Sequence, residues 1–368
     1  EIRQMTQQGH DIIRLDIGNP DLPPPESITQ TLASSADSAS VHGYSGYRGI
    51  AGFRQAISQH YADRFNVEAH PDREVLPLIG TKEGIINLSL AYLDRGDVAL
   101  IPDIAYPAYE MGARLAGADL YHFPLVPENG FLPDVSNIPD DVLKRAKILW
   151  INYPNNPTGA IADSDTLLQL ATFCKKHDIL LVSDNPYVDI TYGDYIASSA
   201  LSVDENLRSH IVEFFSFSKT YNMAGWRLGA AVGDAEVIAN LLAVKSNMDS
   251  GHFTAIYQAG IHALQADLTD WMLERNQMYM TRRDKIIAAL PEIGLSAKTP
   301  DATLYIWAHT PENAVEYTQE ARKQAHVSLA PGAAYGPGGE HYIRISVTVP
   351  DERLDEALDR LKTWHKNR

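Results

Sequence analysis

The sequence predicts an α/β protein: a large unit built on a mainly parallel sheet between helices, followed by a smaller C-terminal α/β unit. Three observations predict it. Short, continuously apolar runs alternate with helical patterns through the middle of the chain, as in a sheet covered on both faces. After about residue 245 that alternation gives way to long helical stretches and then to strands mixed with helices. The 368 residues also exceed what one hydrophobic core usually serves.

Taken in order, the chain opens on the polar, helix-like "EIRQMTQQGHDIIR", which has no apolar centre of a signal peptide. It starts at Glu1 rather than a methionine, so a removed leader stays open. "NPDLPPPE" (19–26) reads as an extended crossing segment that ends in a helix start. In "LIGTKEGIINLSL" (78–90) a strand runs into Gly80-Thr81 and a helix opens. Buried strands are expected at "DVALIP" (97–102), "KILWINY" (147–153), "DILLVSD" (178–184), "IVEFFSFS" (211–218) and "RLGAAVG" (227–233), with helices such as 83–93 and 163–177 between them. Helical segments run on to about 290. Then come "LYIWAH" (304–309), a helix near 312–325, "VSLAPG" (327–332), "YIRISVTV" (342–349) and the closing helix "DERLDEALDRLKTWHK". Neither an internal repeat nor a low-complexity linker interrupts this order.

Composition excludes several functions. The net charge of −16 argues against a nucleic-acid partner, although a small anion in a local positive pocket remains compatible with it. Nothing approaches the ~18 apolar residues of a membrane span. Cys174 is the single cysteine, so there is no intrachain disulfide and no cysteine-built metal centre, which fits a reducing, cytoplasmic setting. Its spacing with Leu167, Leu170 and Ala171 places it on a packed helix face.

Ligands of open α/β sheets bind outside the carboxyl ends of the strands, so the loops there hold the candidate chemistry. Lys219 stands at the end of an apolar strand; by itself it would serve equally as a solvated end-of-strand charge. Asp184 ends another apolar strand, where a carboxylate needs a cation or a donor unless it only caps a turn. Asn156 lies in "NYPNNPTGA" (152–160), a turn-rich loop that follows a strand. Gly80-Thr81 offers a helix start, whose N–H groups suit a phosphate or simply an ordinary cap. The Gly-Lys-Ser/Thr of a Walker loop and the G-x-G-x-x-G of a dinucleotide site are both missing. A lysine amine, an aspartate, an asparagine and a phosphate-binding helix start together meet the needs of pyridoxal phosphate.

Eight strings carry a resemblance over essentially the whole chain: "GNPD" (18–21), "GYSGYRGIAGFRQAI" (43–57), "GTKEG" (80–84), "AYPAY" (105–109), "NNPTG" (155–159), "SDNPY" (183–187), "SFSKTYNMAGWRLG" (216–229) and "YIRIS" (342–346). In this order and spacing the sequence resembles the fold-type-I pyridoxal-phosphate aminotransferases of the aspartate aminotransferase superfamily. The resemblance implies a seven-stranded sheet in the large domain. It also implies an arm and part of the small domain over 1–40, a cofactor-binding domain over 41–265 and a small domain over 266–368. Lys219 would be the Schiff-base lysine and Asp184 the partner of the ring nitrogen. Tyr187 and Asn156 would bond the ring oxygen, and Tyr106 would stack on the ring. Thr81, Lys82, Ser216, Ser218 and Arg227 would cup the phosphate, with Tyr44 reaching the site of a second subunit in a homodimer. Arg344, with Gly18 and Asn156, would hold the substrate carboxylate.

Lys82 departs from the better-known members, which carry a small residue there. "GTKEG", "HGYSGYRG" and "NMDSGHF" (247–253) look more like the branch of LL-diaminopimelate aminotransferases and broad-specificity relatives. Tyr47, Arg48 and Ser250 are candidates for the substrate side chain. The implied activity is transfer of an amino group from an L-amino acid to a 2-oxo acid, such as 2-oxoglutarate, with Lys219 as general base and acid. A lyase or decarboxylase on the same scaffold, and a non-catalytic cofactor-binding module, share these residues. No metal is implied.

Overall fold

Alternate residues of the middle strands point to opposite sides, and both sides are buried. Ile148 and Trp150 pack on one face of their strand, Leu149 and Ile151 on the other, and each is at most 1% exposed. The computed structural model describes residues 1–368. The strands are β1 (Ile13–Arg14), β2 (Val75–Leu78), β3 (Val98–Pro102), β4 (Asp119–Phe123), β5 (Ala146–Ile151), β6 (Leu180–Asp184), β7 (Ile211–Ser216), β8 (Gly229–Gly233), β9 (Tyr305–His309), β10 (Val327–Ser328), β11 (Ala330–Pro331) and β12 (Tyr342–Ser346).

Seven of them form the large sheet, in the order β2-β8-β7-β6-β5-β3-β4. All neighbours are parallel except β8, which runs antiparallel to β2 and β7. The chain passes from β3 out to β4 and then returns to the other side of β3 as β5. That reversal opens a crevice beyond the carboxyl ends of β3 and β5. Strand β4 was not foreseen: "DLYHF" is a half-exposed edge strand and lacks a continuous apolar run.

The expected strand 211–218 ends earlier, at Ser216. The Ser216 side chain accepts a hydrogen bond from the Ser218 N–H, and Phe217–Thr220 form one helical turn. Lys219 therefore projects from that turn rather than from the strand. The helix expected near 312–325 starts at Ala314, where the Asn313 side chain caps the N–H groups of Val315 and Glu316, and its last turn is a π-helix over Ala321–Ala325.

A second, antiparallel sheet has the order β11-β12-β9 and carries Arg344 on its middle strand. The stretch "VSLAPG" divides at Leu329: β10 pairs with β1 and β11 with β12. The N-terminal segment continues along this sheet, since the Ser346 N–H donates to the Leu15 carbonyl at 2.8 Å. It thereby brings Asp16 and Gly18 into the crevice. Cys174 is buried within the core of the large sheet. No helix is long and apolar enough to cross a membrane.

Two buried charged side chains near the sheet are paired, as burial requires. Glu213 on β7 accepts from Tyr61, Ser183, Ser199 and the Ala200 N–H. Lys245 lies between Glu83 and Asp249, and Glu83 in turn accepts the Ile79 N–H below the first turn of the helix Thr81–Tyr92.

Candidate active site

A cavity of about 570 Å³ opens at the strand ends, and Gly18, Thr81, Lys82, Tyr106, Asn156, Asp184, Tyr187, Ser216, Ser218, Lys219, Arg227 and Arg344 line it. Loops after β3, β5, β6 and β7, the start of the helix Thr81–Tyr92, the N-terminal segment and β12 all converge there. Of the residues singled out from the sequence, Tyr44 alone among the cofactor candidates lies elsewhere: it is 92% exposed on this chain. Tyr47, Arg48 and Ser250 do not line the cavity either.

Asp184 is the last residue of β6 and is 4% exposed. Its Oδ2 accepts from the Tyr109 hydroxyl at 2.8 Å, while Oδ1 is buried with no partner. Burial pushes the carboxyl up to about 7, against the opposing effect of the Tyr109 hydrogen bond. A half-paired carboxylate in an apolar wall calls for a cationic donor. Tyr109 is itself held by Trp150, ring on ring, 4.7 Å apart and 7° from parallel.

The loop after β5 is braced from inside. Asn152 donates to the Asp184 carbonyl at 2.6 Å and accepts the Asn156 N–H at 2.7 Å. Asn155 accepts from the N–H and hydroxyl of Thr158. Asn156 is thus presented to the cavity, where its Oδ1 accepts from Arg344 Nη1 at 2.9 Å.

Arg344 is 7% exposed on β12, which is buried on both faces from Ile343 to Ser346. Its Nη2 donates to the Asp16 carbonyl at 2.7 Å, and its Nε is buried without a partner. The guanidinium carbon sits 4.0 Å from the ring centre of Tyr305 and 4.8 Å from that of Tyr335. Two aromatic faces thus fix a charge that has no carboxylate partner.

Lys219 Nζ donates to the Gly18 carbonyl. Burial holds its pKa below the usual lysine range; nearby Tyr305 opposes this, and the charges of Arg344 and Arg227 add to it. Such an amine gives up its proton more readily than a surface lysine.

At the far end, Gly80 caps the helix Thr81–Tyr92 with φ of +75°. A Cβ there would meet Arg227 Nη2 at 2.2 Å, so only glycine lets the guanidinium lie against the helix start. Arg227 has φ of +56°, its Nη1 donates to the Ala224 carbonyl at 2.9 Å, and its own carbonyl lies 3.0 Å from His252 Nε2. Lys82 Nζ stands 5.4 Å over the ring of Tyr106.

Tyr109, Asn152 and Tyr305 escaped the sequence reading. Tyr109 left a usable trace, one helical turn beyond Tyr106 in "AYPAY". Tyr305 left none, because it meets the cavity only through the pairing of β9 with β12.

No group of three or more His, Cys, Asp or Glu residues is placed to hold a metal ion. The donor set suits pyridoxal phosphate instead: a buried carboxylate at the cavity with Oδ1 left unpaired suits a ring N–H, and the Gly80–Arg227 cradle suits a dianion. Fold and cleft together define a fold-type-I pyridoxal-phosphate enzyme.

Comparison with known proteins narrows this. The family described as aminotransferase class I and II matches residues 10–361. The LL-diaminopimelate aminotransferase of Dehalococcoides mccartyi is 44% identical over 366 residues, covering 99% of this chain and 94% of that protein. That of Syntrophobacter fumaroxidans is 43% identical over 361 residues, covering 98% and 92%. Among solved structures, apo BacF from Bacillus subtilis superposes with a TM-score of 0.94 at 36% identity, covering 98% of this chain and 92% of BacF. A probable N-succinyldiaminopimelate aminotransferase from Thermus thermophilus gives 0.91 at 35% identity, covering 98% and 97%. The chain belongs to the class I and II aminotransferases. It is a pyridoxal-phosphate-dependent enzyme that moves an amino group from an L-amino acid to a 2-oxo acid.

Proposed function

We propose that this aminotransferase uses 2-oxoglutarate as acceptor and, as donor, the amino acid named for its curated relatives, LL-diaminopimelate. One observation carries the chemistry: Lys219, the half-paired Asp184 and the doubly stacked Arg344 share one cavity.

Lys219 would hold the cofactor covalently, and Asp184 would face its ring nitrogen. Tyr187 and Asn156 would donate to its ring oxygen and Tyr106 would cover its ring. Thr81, Lys82, Ser216, Ser218 and Arg227 would take the phosphate. When bound, pyridoxal phosphate supplies an aldehyde for the amino group and a ring that accepts the electron pair left by the departing α-proton.

The chain's own residues do the rest. Arg344, through Nη1 and Nη2, and Asn156 bind the substrate α-carboxylate and orient its α-carbon. Once the incoming amino group has displaced it from the cofactor, the free Lys219 Nζ, with its lowered pKa, would take the α-proton and deliver it to the cofactor carbon that bore the aldehyde, and the same transfer in reverse would aminate the acceptor. Asp184 stays anionic beside a cation, with the Tyr109 hydroxyl keeping it in place.

We further read residues 1–40, 41–265 and 266–368 as arm, large domain and small domain. The exposed Tyr44 supports a homodimer in which it completes the neighbour's phosphate cup. The lone, buried Cys174 accords with a cytoplasmic setting. Single-turnover screening of amino acids against the loaded enzyme tests the donor. LL-diaminopimelate and glutamate, the aminated form of the proposed acceptor, should both bleach the visible band, and any other amino acid that bleaches it faster than LL-diaminopimelate would reject that donor. Light scattering tests the dimer, which a monomer at micromolar concentration would rule out.

A further inference from the structure

Tyr305 touches two parts of the cleft at once. Its ring lies under the Arg344 guanidinium at 4.0 Å. Its hydroxyl lies 2.9 Å from that of Tyr187, in a buried contact between residues 118 apart in sequence. The same oxygen packs against the N-terminal segment: a Cβ on Gly18 would sit 1.8 Å from it, and the Gly18 carbonyl receives the Lys219 amine. The two tyrosine rings meet edge to face, at 77°, which leaves the hydroxyls little freedom to separate.

One hydrogen bond between two hydroxyls uses one proton. If Tyr187 spends its proton on Tyr305, none is left to donate elsewhere. If Tyr305 is the donor, Tyr187 keeps its proton for a third oxygen, and a donor that itself accepts a bond is strengthened. We propose that Tyr305 is a positioning residue that donates to Tyr187, directs the Tyr187 proton into the cleft, and through its ring ties this donor to the carboxylate-binding Arg344. The inference rests on the reading that Tyr187 donates to the cofactor's ring oxygen.

A donor on the ring oxygen favours its anionic, proton-poor form. Weakening that donor raises the pH midpoint of the loaded enzyme's visible band. Spectral titration of Tyr305→Phe, which keeps the ring, should show the midpoint raised by about half to one pH unit. Tyr187→Phe should raise it at least as far, and the double variant should add nothing to Tyr187→Phe. Tyr305→Leu, which removes the aromatic face, should also weaken succinate binding, read from the same spectrum, by about three- to tenfold.

If Tyr187→Phe leaves the midpoint in place, the reading of Tyr187 fails and this inference goes with it. If Tyr187→Phe moves the midpoint and Tyr305→Phe does not, this inference alone fails. Additive shifts in the double variant would show that Tyr305 acts without Tyr187, which also overturns it. Unchanged succinate binding in Tyr305→Leu overturns the tie to Arg344.

Discussion

The hydroxyl of Tyr109 donates to one oxygen of Asp184 at 2.8 Å, and the other oxygen has no partner. The carboxylate is thus anchored through one oxygen and unpaired at the other. Stacking on Trp150 keeps Tyr109 from turning away. An acceptor suited to a ring N–H is therefore held in place before any ligand arrives, which lowers the reorganisation needed on binding.

Asp184 should make the cofactor-free protein pH-sensitive. Its folded-state value, about 7, lies above the 3.8 of the free group. The stabilisation is then fully present below about 3.8 and is lost as pH rises through about 7. At about 1.4 kcal/mol per pH unit, the gap amounts to roughly 4 kcal/mol at most. Asp184→Asn should make the cofactor-free protein more stable than the parent at pH 8, with the advantage gone near pH 4. Urea unfolding at both pH values measures this, and equal stability at pH 8 contradicts it.

Tyr109→Phe removes the one hydrogen bond that holds the Asp184 carboxylate. Charge-assisted bonds of this kind contribute about 1.5–3 kcal/mol. We expect kcat to fall roughly 10- to 100-fold, with a smaller change in cofactor affinity. Steady-state kinetics beside equilibrium dialysis separates the two; a loss confined to affinity would assign Tyr109 to binding.

If Lys219 is the covalent link and proton carrier proposed here, Lys219→Ala should abolish turnover, by at least about 10³-fold. After borohydride treatment, intact-mass spectrometry should find cofactor fixed to the parent chain and none fixed to the variant. An adduct at another lysine would move the assignment.

Arg344→Lys keeps the charge but loses the planar fork and the stacking between Tyr305 and Tyr335. The expected loss is roughly 100-fold in kcat/KM, mostly through KM, with the visible spectrum of the loaded enzyme retained. A loss seen mainly in the spectrum would place Arg344 at the cofactor instead.

Gly80→Ala drives a methyl group into the Arg227 guanidinium and strains a residue at φ +75°. Cofactor dissociation should rise at least about tenfold. Gly96→Ala is the matched control, since φ there is +95° and nothing lies within 4 Å of the added carbon. It should lose about 1 kcal/mol of stability through backbone strain and keep its affinity for the cofactor. Equal losses in both variants would leave the Gly80–Arg227 cradle without a special role.

Local pattern was sufficient for the strand that ends in Asp184, for the core of the strand that begins at Ile211 and for the helix start at Gly80, but not for the helical turn that follows Ser216. Apolar runs and turn residues act over a few positions, and each of these features spans only a few positions. The motif strings then named Lys219, Asp184, Asn156, Tyr187, Arg227 and Arg344 in order, and all six line the cavity. The edge strand Asp119–Phe123 was missed because half-exposed residues carry no continuous apolar signal.

Tertiary structure alone decided which groups meet. Tyr109 reaches Asp184 across 75 residues and Tyr305 reaches Tyr187 across 118. Such contacts depend on strand order, on the register of β9 against β12, and on the N-terminal segment crossing beside them. Periodicity tells a side chain which face to take. Only the assembled sheets determine what stands opposite, because a hydrogen bond requires two distant pieces of backbone to be fixed within a few tenths of an ångström.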